Sequence, residues 1–144
     1  MVESVNKIIF GVFLLAAAWE DGREKAVSVW LFQAAGMAGL ILALLQGDIG
    51  RERLSSCMIG AGLLLLSRLT GEAIGIGDGW FFVVSGLFLR ACLNLKLLIC
   101  GIFLNGIVCG GIYVWGWLRG RDYKKKTVPF LPFLVPVWIG LVML

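Results

Sequence analysis

The stretch LLICGIFLNGIVCGGIYVWGWL, Leu97 to Leu118, runs without one charged side chain. Coiled as an α-helix at about 1.5 Å per residue it is about 33 Å long, the thickness of a bilayer's hydrocarbon core. Its apolar residues do not alternate with polar ones, so it does not read as a strand of a membrane barrel. In lipid every backbone N–H and C=O must find a partner within the chain, which leaves a helix.

The rest of the sequence carries the same signal. Hydrophobic residues make up 60% of the 144, charged ones only 15%, and the mean hydropathy is +0.94. Soluble domains average about 45–50% apolar and about 25% charged. Too little polar side chain is available to cover a soluble enzyme, and disordered chains are apolar-poor. Six apolar segments can be marked off: Ser4 to Trp19, Ala26 to Gly47, Leu54 to Ser67, one beginning near Gly79, Leu97 to Leu118, and Thr127 to Leu144. The second, fifth and sixth reach the span length alone, and the others need snorkelling ends. The first also fits a signal peptide, although Glu20-Asp21-Gly22-Arg23-Glu24 is a poor cleavage region. The expected fold is therefore all-α: one polytopic membrane domain over 1–144, a bundle of about six transmembrane helices. Gly36-x-x-Gly39 and Gly106-x-x-x-Gly110 are expected to let helices pack closely.

The net charge is +4. The cations sit between apolar runs, so they read as topology signals and not as a nucleic-acid footprint. Alternating spans place Arg23, Lys25, Arg68, Arg119, Arg121, Lys124, Lys125 and Lys126 on one side. Lys7, Arg51, Arg53, Arg90 and Lys96 fall on the other. The positive-inside rule puts the first group in the cytoplasm and both termini outside. The chain has no histidine, which excludes Ser-His-Asp and Cys-His catalysis and a histidine-ligated metal. Cys57, Cys92, Cys100 and Cys109 form no C-x-x-C pair and read as small hydrophobes.

Acidic residues in so apolar a chain ask for an explanation. Asp48, Arg51, Glu52 and Arg53 read as a solvated mixed-charge connection, and Asp122 as part of a basic loop. Glu3 lies near the terminus and Glu72 between segments. Two aspartates stand out. Asp21 directly follows the first apolar run, and Asp78 closes Gly75-Ile76-Gly77-Asp78 ahead of Trp80-Phe81-Phe82-Val83-Val84. Six spans put both on one face. Two carboxylates there suit water activation for peptide hydrolysis, because like charges a few Å apart share one proton and so supply an acid and a base. Gly75 and Gly77 would let backbone approach an extended peptide. A packing role, with Asp78 as a helix N-cap, stands beside this reading, as do ion conduction and small-solute transport.

Three blocks resemble the type IV prepilin peptidases, the G-x-G-D class of membrane aspartic proteases. They are Ala17 to Ser28, with Asp21 followed two residues later by Arg23; Gly75 to Asp78, with Gly86-Leu87-Phe88-Leu89 after it; and Val128-Pro129-Phe130-Leu131-Pro132-Phe133-Leu134, similar to the family's Ile-Pro-Phe-x-Pro-Phe-Leu block. The resemblance implies that Asp21 and Asp78 are catalytic, that Gly75, Ile76 and Gly77 shape substrate approach, and that neither metal nor organic cofactor is needed. It implies removal of a basic leader from prepilin-like protein substrates of type IV pilus or secretion systems, at the cytoplasmic face of the cell membrane. The implied partners are that substrate and membrane lipid, with no nucleic acid, and the number of copies is not set. Trp80 stands where the family often has Lys, and Ser28-Val29 where it often has Pro-Asn, which bears on substrate preference. The longer members carry an N-methyltransferase region with paired C-x-x-C motifs. This sequence reads as a short form without it, so cleavage without N-methylation is expected. The rival reading is a non-catalytic small membrane protein, a transporter or an assembly component, in which the two aspartates do not face each other.

Overall fold

A computed structural model of the chain describes residues 1–71, 74–121 and 128–144. The regular structure among them is six helices: α1 (Val2–Glu24), α2 (Val29–Leu45), α3 (Arg51–Leu69), α4 (Ile76–Phe88), α5 (Ala91–Leu118) and α6 (Leu131–Met143). The all-α expectation holds. Of the six helices, α1 and α5 are long and apolar enough to cross a membrane by themselves. Glu72, Asp122, Lys124, Lys125, Lys126 and Thr127, which the sequence reading places in connections or at the start of the sixth segment, lie outside the described residues.

The helix ends differ from the apolar runs in instructive ways. The charged stretch Glu20 to Glu24 is the last turn of α1, not a loop after it. The helix stops at Lys25, whose φ of 55° is left-handed and whose N–H bonds back to the Asp21 carbonyl. Such a turn satisfies one of the carbonyls that every helix end leaves open. α4 begins at Ile76, three residues before its apolar run, and α5 takes in Lys96.

The core is aromatic and lies where α1, α4 and α6 meet. Phe13 stacks on Phe81 with centroids 5.3 Å apart, and Phe10 packs edge-on to Trp138 at 4.7 Å. Phe82, Phe88, Leu97, Leu131 and Leu134 close the cluster. Much of the outer surface is apolar as well: Ile8, Val12, Leu15, Leu40, Ile41, Leu65, Ile102 and Phe103 are all exposed. Several polar groups, Asn6, Arg53, Ser56, Ser85 and Asn94 among them, are buried. That arrangement suits lipid better than water.

Two expectations are corrected here. Arg53 is no solvated connector. It lies in the first turn of α3 and is buried, with its guanidinium donating to Gln46 Oε1 at 2.8 Å, to Asp48 Oδ2 at 3.3 Å and to the Leu87 carbonyl. Leu87 is in the last turn of α4, where carbonyls lack helical partners. A planar guanidinium can satisfy several such acceptors at once. Of the two glycine pairs that the spacing suggests, the first holds, since a Cβ on Gly39 would fall 2.9 Å from Leu87 Cβ of α4, and the second does not. None of the described residues lies within 4 Å of where a Cβ on Gly106 or Gly110 would sit. The closest backbone approach is between α3 and α4, the most extensively packed pair. A Cβ on Gly60 would fall 2.1 Å from the Val83 nitrogen, and one on Gly86 would fall 2.6 Å from the Cys57 nitrogen.

Backbone cannot yield as a flexible side chain can, so Gly60→Ala forces α3 and α4 apart. It should cost about 1–3 kcal/mol, the usual range for overpacking. Gly106→Ala should be neutral or slightly stabilising, because alanine favours a helix by up to about 1 kcal/mol over glycine. Thermal unfolding in detergent checks the pair, and equal midpoints for the two variants would contradict this packing.

Candidate active site

The end of α1 and the start of α4 are each tied down from a neighbouring helix. On α1, the Glu20 carboxylate accepts the backbone N–H of Ser28 at 2.8 Å and its hydroxyl at 3.0 Å. Ser28 is the N-cap of α2, so this clip closes the α1–α2 turn. The next residue, Asp21, is buried, and its Oδ2 accepts the N–H of Leu131 at 3.0 Å. Leu131 is the first residue of α6, where backbone N–H groups have no helical partner and carry the positive end of the helix dipole. Asp21 is thereby fixed against α6.

On α4, Ser67 near the end of α3 donates its hydroxyl to the Ile74 carbonyl at 2.6 Å and so anchors the segment leading into the helix. Gly75 is the N-cap and Asp78 stands three residues on, in the first turn. The rival reading, Asp78 as the N-cap of this helix, does not hold. The cap is Gly75, whose carbonyl accepts the Asp78 N–H at 3.1 Å. A Cβ on Gly75 would come within 3.1 Å of Asp78 Oδ2, while none of the described residues lies within 4 Å of where one on Gly77 would sit. Leu64 of α3 packs where a side chain at position 79 would go, which holds this turn of α4 close to α3.

Asp21 and Asp78 line one open cavity of about 750 Å³. Gly75, Ile76 and Gly77 line it too, as do Val128, Pro129 and Phe130, the residues just ahead of α6. The structure thus brings together all five residues singled out in the sequence. Asp78 precedes the apolar run of α4. Its burial and the nearby negative charge of Asp21 push its carboxyl up to about 7. One proton held on Asp78 beside an Asp21 that accepts hydrogen bonds is the arrangement a general acid and a general base require. Among the described residues there is no cluster of three or more His, Cys, Asp or Glu that could hold a metal.

Some residues of this region escaped the reading of the sequence. Glu20 received no role from the sequence, and only its bonds to Ser28 reveal the clip. Leu131 acts through its backbone, which no side-chain motif can announce, although it sits in the third block. Asn105 of α5 also lines the cavity, on a face shared with Leu98 and Ile102.

Neither a curated protein nor a solved structure matches the chain. The sequence profile of the type IV leader peptidase family matches residues 8–115. That range takes in the aromatic core of α1 and α4 and both aspartates, and stops short of the third block. With well over half its length matched in this way, the chain belongs to the type IV leader peptidase family.

Proposed function

We propose that the chain is an aspartic endopeptidase that removes the leader from prepilin-like substrates, with Asp21 and Asp78 activating water between them. The observation that carries this reading is the shared cavity, in which two carboxylates are close enough for one to raise the proton affinity of the other. Asp78 is the protonated member and acts as acid towards the scissile carbonyl. Asp21 takes a proton from water, whose oxygen attacks the carbonyl carbon. When the C–N bond breaks, a proton passes to the leaving amine. The space that the described residues leave open at Gly77 and the absence of a side chain at Gly75 give room for an extended peptide beside Asp78.

The membrane setting belongs to the same proposal. The six helices form a multi-pass bundle in the cell membrane, and the cavity faces the cytoplasm. Support comes from the charge distribution: Arg23 and Lys25 follow Asp21, Arg68 ends α3, and the basic run from Arg119 follows α5. Arg119 lies over the Trp115 ring at 4.7 Å, a pairing suited to a membrane interface. A leader bearing Lys or Arg would approach the two aspartates favourably.

Co-expression with a panel of prepilins bearing basic leaders tests the reading by the shift in substrate size. Wild type and the exposed-site variant Glu52→Gln should process. Asp21→Asn and Asp78→Asn should each lose at least about 10³-fold in rate, since an acid–base pair works as a unit. Processing that survives either aspartate substitution contradicts the assignment. Failure of the wild type across the panel favours a non-catalytic membrane protein.

The rate should also depend on pH with a defined sign. Below about 7 Asp78 holds its proton and the active form is populated; as pH rises through about 7 that proton leaves and the form is lost. kcat/KM is therefore expected to fall about tenfold per pH unit on the alkaline side, starting near neutrality. A profile flat from pH 6 to pH 9 would contradict the protonated role of Asp78.

A further inference from the structure

The chain has three asparagines, and two of them are fully engaged within the fold. Asn94 is completely buried, accepts the Ser85 hydroxyl at 2.7 Å and donates to Ser56 Oγ at 3.1 Å. Asn6 and Gln46 pair through both amides at 3.0 and 3.1 Å. Asn105 is different. It is the one carboxamide in the uncharged run of α5, where an amide is costly unless it has a use. Its oxygen accepts the Cys109 thiol at 3.4 Å, a weak bond one turn along the same helix. Its nitrogen has no partner among the described residues, and the residue is half-buried in the wall of the cavity that holds Asp21 and Asp78.

Its position on the helix adds to this. Leu98, Ile102 and Asn105 recur at helical spacing and form the α5 wall of the cavity. Below them Gly101 is packed against Phe130 and Leu134 of the α6 region. Beyond them none of the described residues lies within 4 Å of where a Cβ on Gly106, Gly110 or Gly111 would sit. Asn105 therefore stands at the outer end of the α5 wall of the site, with buried Leu98 and exposed Ile102 before it along the helix.

We infer that Asn105 is a substrate-binding residue: its carboxamide holds the backbone N–H and C=O of one residue of the extended substrate next to the scissile bond. The amide nitrogen donates to a substrate carbonyl, and the lone pair that Cys109 leaves on Oδ1 accepts the substrate N–H. A contact with backbone suits a protease whose substrates differ in side chains. This inference rests on the peptidase reading above.

Steady-state cleavage by wild type, Asn105→Leu and Asn105→Ala tests it, with a prepilin peptide and a series of that peptide carrying one N-methylated peptide bond at successive positions. Both variants should raise KM about tenfold, the effect of about 1.4 kcal/mol of lost hydrogen bonding, and leave kcat within about twofold. One N-methyl position should penalise wild type by a similar factor and the variants hardly at all, because the bond it removes is already gone. Two variants of different bulk keep the test open if one of them folds poorly. An unchanged KM in a folded variant, or N-methyl penalties equal in wild type and variants at every position, would overturn the role of Asn105 and leave the aspartate pair standing. A wild type that cleaves none of the peptides would overturn both.

Discussion

The hydrogen bond from the Leu131 amide to the Asp21 carboxylate joins parts of the chain 110 residues apart, and the candidate site depends on it. It gives a buried carboxylate a partner and a helix N-terminus a cap in one contact. It also sets where α6 begins, and so where Val128, Pro129 and Phe130 enter the cavity wall. The aromatic packing of Phe10 against Trp138 then follows along the same two helices. The bond is short and directional, whereas the aromatic contacts around it are broad. The former fixes the position of one oxygen, and the latter hold the helices that carry it.

At the other end of the bundle a different polar knot does the corresponding work. Arg53 gathers the ends of α2 and α4 onto the start of α3, and the Asn6–Gln46 pair adds α1. Between the two ends, α3 and α4 approach through glycine, closely enough that backbone touches backbone. This leaves α4 short and fixed on several sides, which is a suitable mount for Asp78. α5 is the contrast: its first half packs into the bundle, and its second half presents Ile107, Val114, Trp115 and Trp117 outward.

Helix number and type were legible in the sequence because apolar runs of that length leave the backbone no other choice. Asp21 and Asp78 were legible because an acidic residue beside such a run is costly and therefore conspicuous. The resemblance carried by the three blocks pointed to a peptidase family, and the matched family agrees. What escaped was everything decided by three-dimensional neighbours. Arg53 reads as a loop charge until Leu87 supplies its carbonyl, and only the backbone shows that Gly75, not Asp78, caps α4. Gly106 and Gly110 carry the expected spacing and pack against none of the described residues, while Gly60 and Gly86, without that spacing, make the closest contact. Spacing along one helix says which side a residue is on, but not what lies opposite.

The account rests on Asp21 and Asp78 behaving as one electrostatic unit. The direct test is the titration of the Asp78 carboxyl, followed by carbon-13 NMR of labelled protein in detergent, in wild type and in Asp21→Asn. Asp78 should titrate near 7 in wild type. Removing the Asp21 charge should lower that midpoint, while burial keeps it above the ordinary aspartate range. An Asp78 midpoint that is the same in both proteins would contradict the coupling, and with it the shared proton on which the proposed chemistry depends.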